Sequence, residues 1–181
     1  IYMGDWSSDV CSSDLFSMPS FLSLPGSSAD LNLSLSATWQ SEDSTLLLAG
    51  QPEIDCAGYY GGTCSGDSIR ITPDFRALLR AVWTSGPLSI TTEVSHIGAL
   101  KLFPGARNQN GTLSAYYYTD LTGTYHVGDN SRITVGITNL FDKQPPLLGY
   151  PDGGDALTNV QLFDVLGRQY FVGFTVGVGG K

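Results

Sequence analysis

The sequence predicts an all-β protein: an antiparallel up-and-down meander of about six strands, forming an open segment of a transmembrane β-barrel. Three observations predict it. Apolar residues recur at every second position in stretch after stretch, no apolar run reaches the roughly 18 residues that a membrane-crossing helix needs, and short turns alternate with long polar connections. Composition agrees. The 181 residues are 41% hydrophobic but only 14% charged, with 11% aromatics and 22 Gly, which suits strands and turns. The formal charge of −8 argues against a nucleic-acid partner, because phosphate binding requires clustered Lys and Arg.

After the turn signal Pro25-Gly26-Ser27-Ser28, the first strand places Leu31, Leu33, Leu35, Ala37 and Trp39 on one face. A long connection rich in Gly, Ser, Asp and Glu runs from Gln40 to about Asp74. The second strand, Phe75 to Thr84, sets Phe75, Ala77, Leu79, Ala81 and Trp83 against Arg76 and Arg80. Arginine facing lipid costs roughly 2–4 kcal/mol at the bilayer midplane, so these two are expected on the lumen side. Thr84-Ser85-Gly86-Pro87 turns the chain into a third strand, Leu88 to Ile97, where Leu88, Ile90, Thr92 and Val94 oppose Ser89, Thr91, Glu93 and Ser95; Thr92 and His96 fall on the otherwise apolar side.

A second long connection runs from about Gly98 to Ser114. The fourth strand, Ala115 to Val127, sets Tyr117, Leu121, Tyr125 and Val127 against Tyr118, Asp120, Thr122, Thr124 and His126. Gly128-Asp129-Asn130-Ser131 turns it into the fifth strand, where Arg132 precedes Ile133, Val135 and Ile137. The third long connection, Phe141 to about Gly167, leads to the last strand, with Tyr170, Val172, Phe174, Val176 and Val178 on one face and Phe171, Gly173, Thr175 and Gly177 on the other. Both short turns fall on one edge of the sheet and all three long connections on the other, as in outer-membrane barrels. Trp83 and Tyr125 then lie near the inner interface and Tyr117 and Tyr170 near the outer one, as an aromatic girdle requires. A soluble sandwich alternates too, but its exposed face usually carries charge, whereas here no charge lies between Arg168 and Lys181.

Two stretches add a likeness. Ile137-Thr138-Asn139-Leu140-Phe141-Asp142-Lys143 followed by Pro145-Pro146, then Phe163-Asp164-Val165-Leu166-Gly167-Arg168-Gln169-Tyr170-Phe171, resemble the C-terminal end of TonB-dependent outer-membrane receptors. Phe163 and Val165 depart mildly from that family's pattern, and Val178-Gly179-Gly180-Lys181 lacks its usual terminal aromatic residue. The resemblance covers about Phe16 to Val178, with residues 179–181 as a tail. It implies the last quarter of a barrel of about 22 strands, in the bacterial outer membrane. It also implies active uptake of a scarce bulky nutrient, such as a siderophore, cobalamin or a saccharide, with this segment supplying wall and external loops. Partners follow from it: outer-membrane lipid, the rest of the barrel and its plug domain, the TonB energy-transducing complex through an N-terminal segment not present here, and an external small-molecule ligand.

Residues 1–15 stand apart, because Asp5 to Leu15 read as the in-frame translation of a sequencing-library adapter, with a natural Ser/Asp-rich linker as the alternative. Setting that segment aside removes Cys11 and leaves Cys56 and Cys64. Their separation by a short loop with Gly58, Gly61 and Gly62 permits a disulfide in an oxidising compartment, with a pair of free thiols as the alternative. The resemblance favours the disulfide, since such receptors often staple outer loops this way.

Arg76, Arg80, Glu93, Asp120 and Arg132 are the candidate lumen residues, to contact plug or ligand or to pair across strands. Loops on rigid scaffolds carry binding, so the aromatic loop residues Tyr59, Tyr60, Phe103 and Tyr150 are the ligand candidates. Catalysis has no constellation to rest on: His96 and His126 lack a nearby Ser-Asp or Cys arrangement, and Gly179-Gly180-Lys181 lacks the leading glycine and the helix of a phosphate loop. No cofactor is implied. Asp152, Asp155 and Asn159 could hold calcium, though turn chemistry explains them more simply, and Asn110-Gly111-Thr112 reads as a turn rather than a glycosylation site. Two other readings compete with the importer, a passive outer-membrane pore and a secreted sugar-binding β-sandwich; the latter calls for charge where Leu, Val and Phe stand.

Overall fold

The computed structural model describes residues 9–17, 24–46, 50, 52–65, 71–106, 111–148 and 157–177. In chain order the strands are β1 (Asp9–Ser17), β2 (Ala29–Trp39), β3 (Ser44–Thr45), β4 (Ile54–Asp55), β5 (Tyr59–Tyr60), β6 (Phe75–Ser85), β7 (Leu88–Ile97), β8 (Lys101–Leu102), β9 (Tyr116–Val127), β10 (Ser131–Thr138) and β11 (Gln169–Val176). The only helical element among the described residues is a single 3-10 turn, Gly62–Ser65. The molecule is therefore all-β.

One sheet dominates, in the order β1-β2-β6-β7-β9-β10-β11 with every neighbouring pair antiparallel, and its outermost strands β1 and β11 do not pair with each other. The strands from β2 to β11 in this order are the six read from the sequence, each hydrogen-bonded to the next in chain order. Gly86, with φ +53°, opens the two-residue connection between Ser85 and Leu88, and Gly128, with φ +63°, begins the turn between Val127 and Ser131. At that same end Ser85 is buried and ties down residues 24–28: its Oγ accepts from the Leu24 amide and donates to the Ser28 carbonyl.

β1 is an addition to the sequence reading. It occupies most of the adapter-like segment and pairs along its whole length with β2, from Asp9 opposite Thr38 to Ser17 opposite Asp30. Ladder hydrogen bonds come from the backbone, so a free strand edge accepts an extended segment whether or not its side chains alternate. The alternation that identifies the other strands is missing from this one.

Register turns the sequence pattern into two continuous faces. Leu33, Ala81, Thr92, Leu121, Ile137 and Tyr170 succeed one another across the sheet, as do Leu31, Trp83, Ile90, Gly123, Val135 and Val172. No Asp, Glu, Lys or Arg lies on this face from β2 to β11. The opposite face carries Arg76, Arg80, Glu93, Asp120 and Arg132 among Ser and Thr. The apolar face is exposed: Phe174 is 75% exposed, Tyr170 70% and Val176 68%. Among the described residues neither a helix nor a second sheet packs on it.

The hydrophobic core lies instead at the long-loop end, on the polar side of the sheet. Tyr60, Ile71, Ile97, Leu100, Leu113, Leu148 and Phe163 are buried together, with Leu102, Tyr116, Tyr118 and Leu162 packed against them. Most of these residues come from the three long connections. Two of those connections are joined by a parallel pair, β5 with β8, and Leu100 and Leu113 bridge antiparallel within the second. These two-residue strands give no periodic signal, so the sequence pattern reads them as loop.

Candidate functional site

The polar face and the loops folded over its end border an open recess of about 640 Å³. Its floor is the strand face, from Ser36 and Thr38 on β2 across Arg76 and Leu78 on β6 and Ser95 on β7 to Tyr118 and Asp120 on β9. Its far wall is Thr138, Asn139, Leu162, Asp164 and Gln169, where the third long connection leaves and rejoins the sheet.

That wall is held by a knot of side chains around Asn139, which is 2% exposed and has φ +50°. Asparagine adopts this left-handed conformation more readily than other non-glycine residues. The Asn139 amide donates to Asp120 Oδ1 at 2.8 Å, and its side chain bonds both ways with Lys143, Oδ1 accepting from the amide and Nδ2 donating to the carbonyl. Nδ2 also reaches Asp164 Oδ2 at 3.3 Å. Nearby, Asp142 Oδ1 accepts from the Arg168 amide at 3.0 Å, and a Cβ on Gly167 would lie 3.0 Å from that same oxygen. The two stretches separated by the third long connection, Asn139 to Lys143 and Asp164 to Arg168, are thus one structural unit. In the sequence its signal is an Asn directly after a strand, where a left-handed turn residue belongs.

The candidate lumen residues all lie on the polar face, with different partners. Arg80 and Glu93 are directly opposite in register and form an ion pair at 3.3 Å, half exposed on the arginine side. Asp120 stands opposite Glu93, and one of its oxygens is engaged by the Asn139 amide. Arg132 lies near the short-turn end, opposite His126, and its Nε donates to Thr175 Oγ1. Arg76 reaches into the recess. These groups do not converge on a single point. On the same face Phe171 covers Gly136, whose added Cβ would fall 2.2 Å from the ring.

Cys56 and Cys64 form a disulfide, with Cα atoms 5.4 Å apart and both residues buried. The aromatic ligand candidates are corrected in part. Tyr60 is fully buried in the loop core and its hydroxyl donates to the Gly111 carbonyl, so it is not available to an external ligand. Its neighbour Tyr59 is half-buried and meets Phe103 edge-to-face at 5.9 Å. Alternation along the short β5 sends two adjacent tyrosines to opposite environments. Tyr150 lies outside the described residues, as do Val178, Asn110, Asp152 and Asp155. Asn159 caps a turn, its Oδ1 accepting from the Gln161 and Leu162 amides. Among the described residues no group of three or more His, Cys, Asp or Glu is placed to hold a metal ion.

On the apolar face, ring contacts run across four strands at the long-loop end: Trp39 to Phe75, Phe75 to His96 and His96 to Tyr117, with centroids 6.1, 5.4 and 4.6 Å apart. Thr92 and His96 do lie on this side, and His96 is accommodated as a ring among rings. No helix of the described residues is long and apolar enough to cross a membrane, which leaves crossing by strands untouched. No family model, curated protein or solved structure matches the chain.

Proposed function

We propose that this chain forms wall and external loops of a bacterial outer-membrane β-barrel of the TonB-dependent type, taking part in active uptake of a scarce, bulky nutrient. The observation that carries the reading is the uncovered face of β2 to β11, which lacks Asp, Glu, Lys and Arg while every strand charge is gathered on the other side. Water is a poor neighbour for such a face, and contiguous exposed apolar area of this kind marks a membrane or protein contact. Strand alternation with lipid on one side and water on the other accounts for both faces at once.

The aromatic spacing supports the same reading. Phe75 and Trp83 lie at opposite ends of β6, and Tyr117 and Tyr125 at opposite ends of β9. Eight residues at about 3.3 Å each give about 26 Å along the strand. After a strand tilt of about 35–45° this is about 20 Å along the membrane normal, which fits within the roughly 25 Å apolar band of such barrels. In this reading the sheet's open edges are completed by further strands, toward the roughly 22 of that barrel type. The protein's work is then to bind and guide, with no covalent step.

Refolding into lipid vesicles tests the proposal. The chain should float with the vesicles, with Trp39 and Trp83 shielded from aqueous quenchers, whereas Leu33→Arg and Val135→Arg, both at mid-strand, should stay in the aqueous fraction. An Arg at mid-membrane depth costs roughly 2–4 kcal/mol. Vesicle binding of both Arg variants equal to the parent chain would overturn the lipid-facing assignment.

A further inference from the structure

We infer that the recess between the polar strand face and the third long connection is a binding site for an uncharged polyhydroxylated ligand, a short neutral oligosaccharide. This inference rests on the wall reading above and assigns ligand contact to a place other than the aromatic loop residues. Its lining has two chemistries in alternation. Ser36, Ser95, Thr138 and Gln169 offer hydroxyl and amide groups, none of them engaged in a side-chain hydrogen bond among the described residues. Between them Leu78, Ile97, Tyr118 and Leu162 offer apolar surface. A pyranose ring has the matching pair of surfaces, an apolar C–H face and a rim of hydroxyls that both donate and accept.

Charge argues against the main competing class, an anionic metal chelate. One guanidinium, Arg76, lines the recess with two carboxylates, Asp120 and Asp164. Both carboxylates are fixed by the knot, Asp120 on the Asn139 amide and Asp164 on the Leu166 amide and Asn139 Nδ2, so neither can swing away from an incoming anion. A polyanion entering this space would meet more negative than positive charge at short range. An uncharged ligand avoids that conflict and still uses the donors. A recess of about 640 Å³ is in the range of small-molecule sites and has room for more than one sugar ring.

The test titrates the full chain, refolded in detergent micelles with backbone amides assigned by NMR, against a panel of neutral oligosaccharides (α- and β-glucans, xylans and chitin fragments) and, separately, ferric tris-catecholate. The expected result is saturable shifts at Ser36, Ser95, Thr138 and Gln169 with at least one neutral oligosaccharide and none with the anionic chelate. Removing donors in Ser36→Ala/Gln169→Leu should weaken that oligosaccharide about tenfold, at about 0.7 kcal/mol or more for each lost hydrogen bond. No shift with any oligosaccharide, shifts from the chelate alone, or unchanged affinity in the double variant would each overturn the inference. Vesicle flotation keeps the two proposals separate: a chain that floats but binds no sugar sinks only this inference, and one that binds sugar without entering lipid sinks the wall reading.

Discussion

Asn139 concentrates in one side chain what the third long connection needs to leave the sheet and return to it. It is buried, takes a left-handed backbone conformation, and links Lys143 and Asp164 while its own amide is held by Asp120. Asn139→Ala removes all three side-chain bonds and places a Cβ with no polar compensation at positive φ. Its expected cost is about 2–4 kcal/mol, the sum of unsatisfied partners and backbone strain, read as a lowered urea midpoint in micelles. Asn139→Gly relieves the strain alone and should recover only the smaller part of that loss. Gly136 makes a second demand at this scale, because Phe171 occupies the space of a Cβ. Gly136→Ala should destabilise by about 1–3 kcal/mol, and Phe171→Ala in the same chain should cancel most of that loss if the ring contact is its cause. From the sequence, Asn139's left-handed turn can be read but not its bonds, and Gly136's role cannot be read at all. Gly136 has the appearance of any small residue in an alternating strand, and Asn139 is tied to an aspartate on another strand and one beyond a long loop.

Among the elements, the long strands were legible and the small ones were not. β2, β6, β7, β9, β10 and β11 each repeat at period two for long enough that face and register follow. The turns that join them reveal themselves by Gly-Pro and Gly-Asp-Asn. β5 and β8 hold two residues each, and no alternation exists in two residues. For that reason Tyr59 and Tyr60 looked alike in the sequence and differ in the fold. The loop core that these short strands frame should unfold as a unit. Cys56→Ser/Cys64→Ser removes a short-loop cross-link worth about 2–3 kcal/mol, and the expected outcome is faster amide exchange at Leu100, Leu102 and Leu113 with little change at Leu121 or Val135. Uniform loss of protection across β9 and β10 would mean that loops and sheet are one cooperative unit.

For the whole molecule, the usual arrangement of a β-protein is inverted: its buried cluster belongs to the loops, while the strands present Leu, Val and Phe outward. The sequence carried the outward apolar face but not the loop core, because every charged residue of β2, β6, β7, β9 and β10 points to a single face. It did not carry β1 either, whose residues lack alternation and which lies at the edge of the sheet. Deleting residues 1–17 should therefore leave exchange protection in β7, β9 and β10 unchanged and lower it in β2 only; collapse of protection throughout the sheet would show that β1 is integral to the fold.

An unselective border of this kind has a consequence for handling the chain. If β2 zips to whatever stretched peptide lies beside it, a neighbouring molecule's terminal strand is as acceptable as its own upstream residues. Concentrated samples would then grow by end-to-end addition, and dilution before refolding would decide between solitary sheets and ribbons.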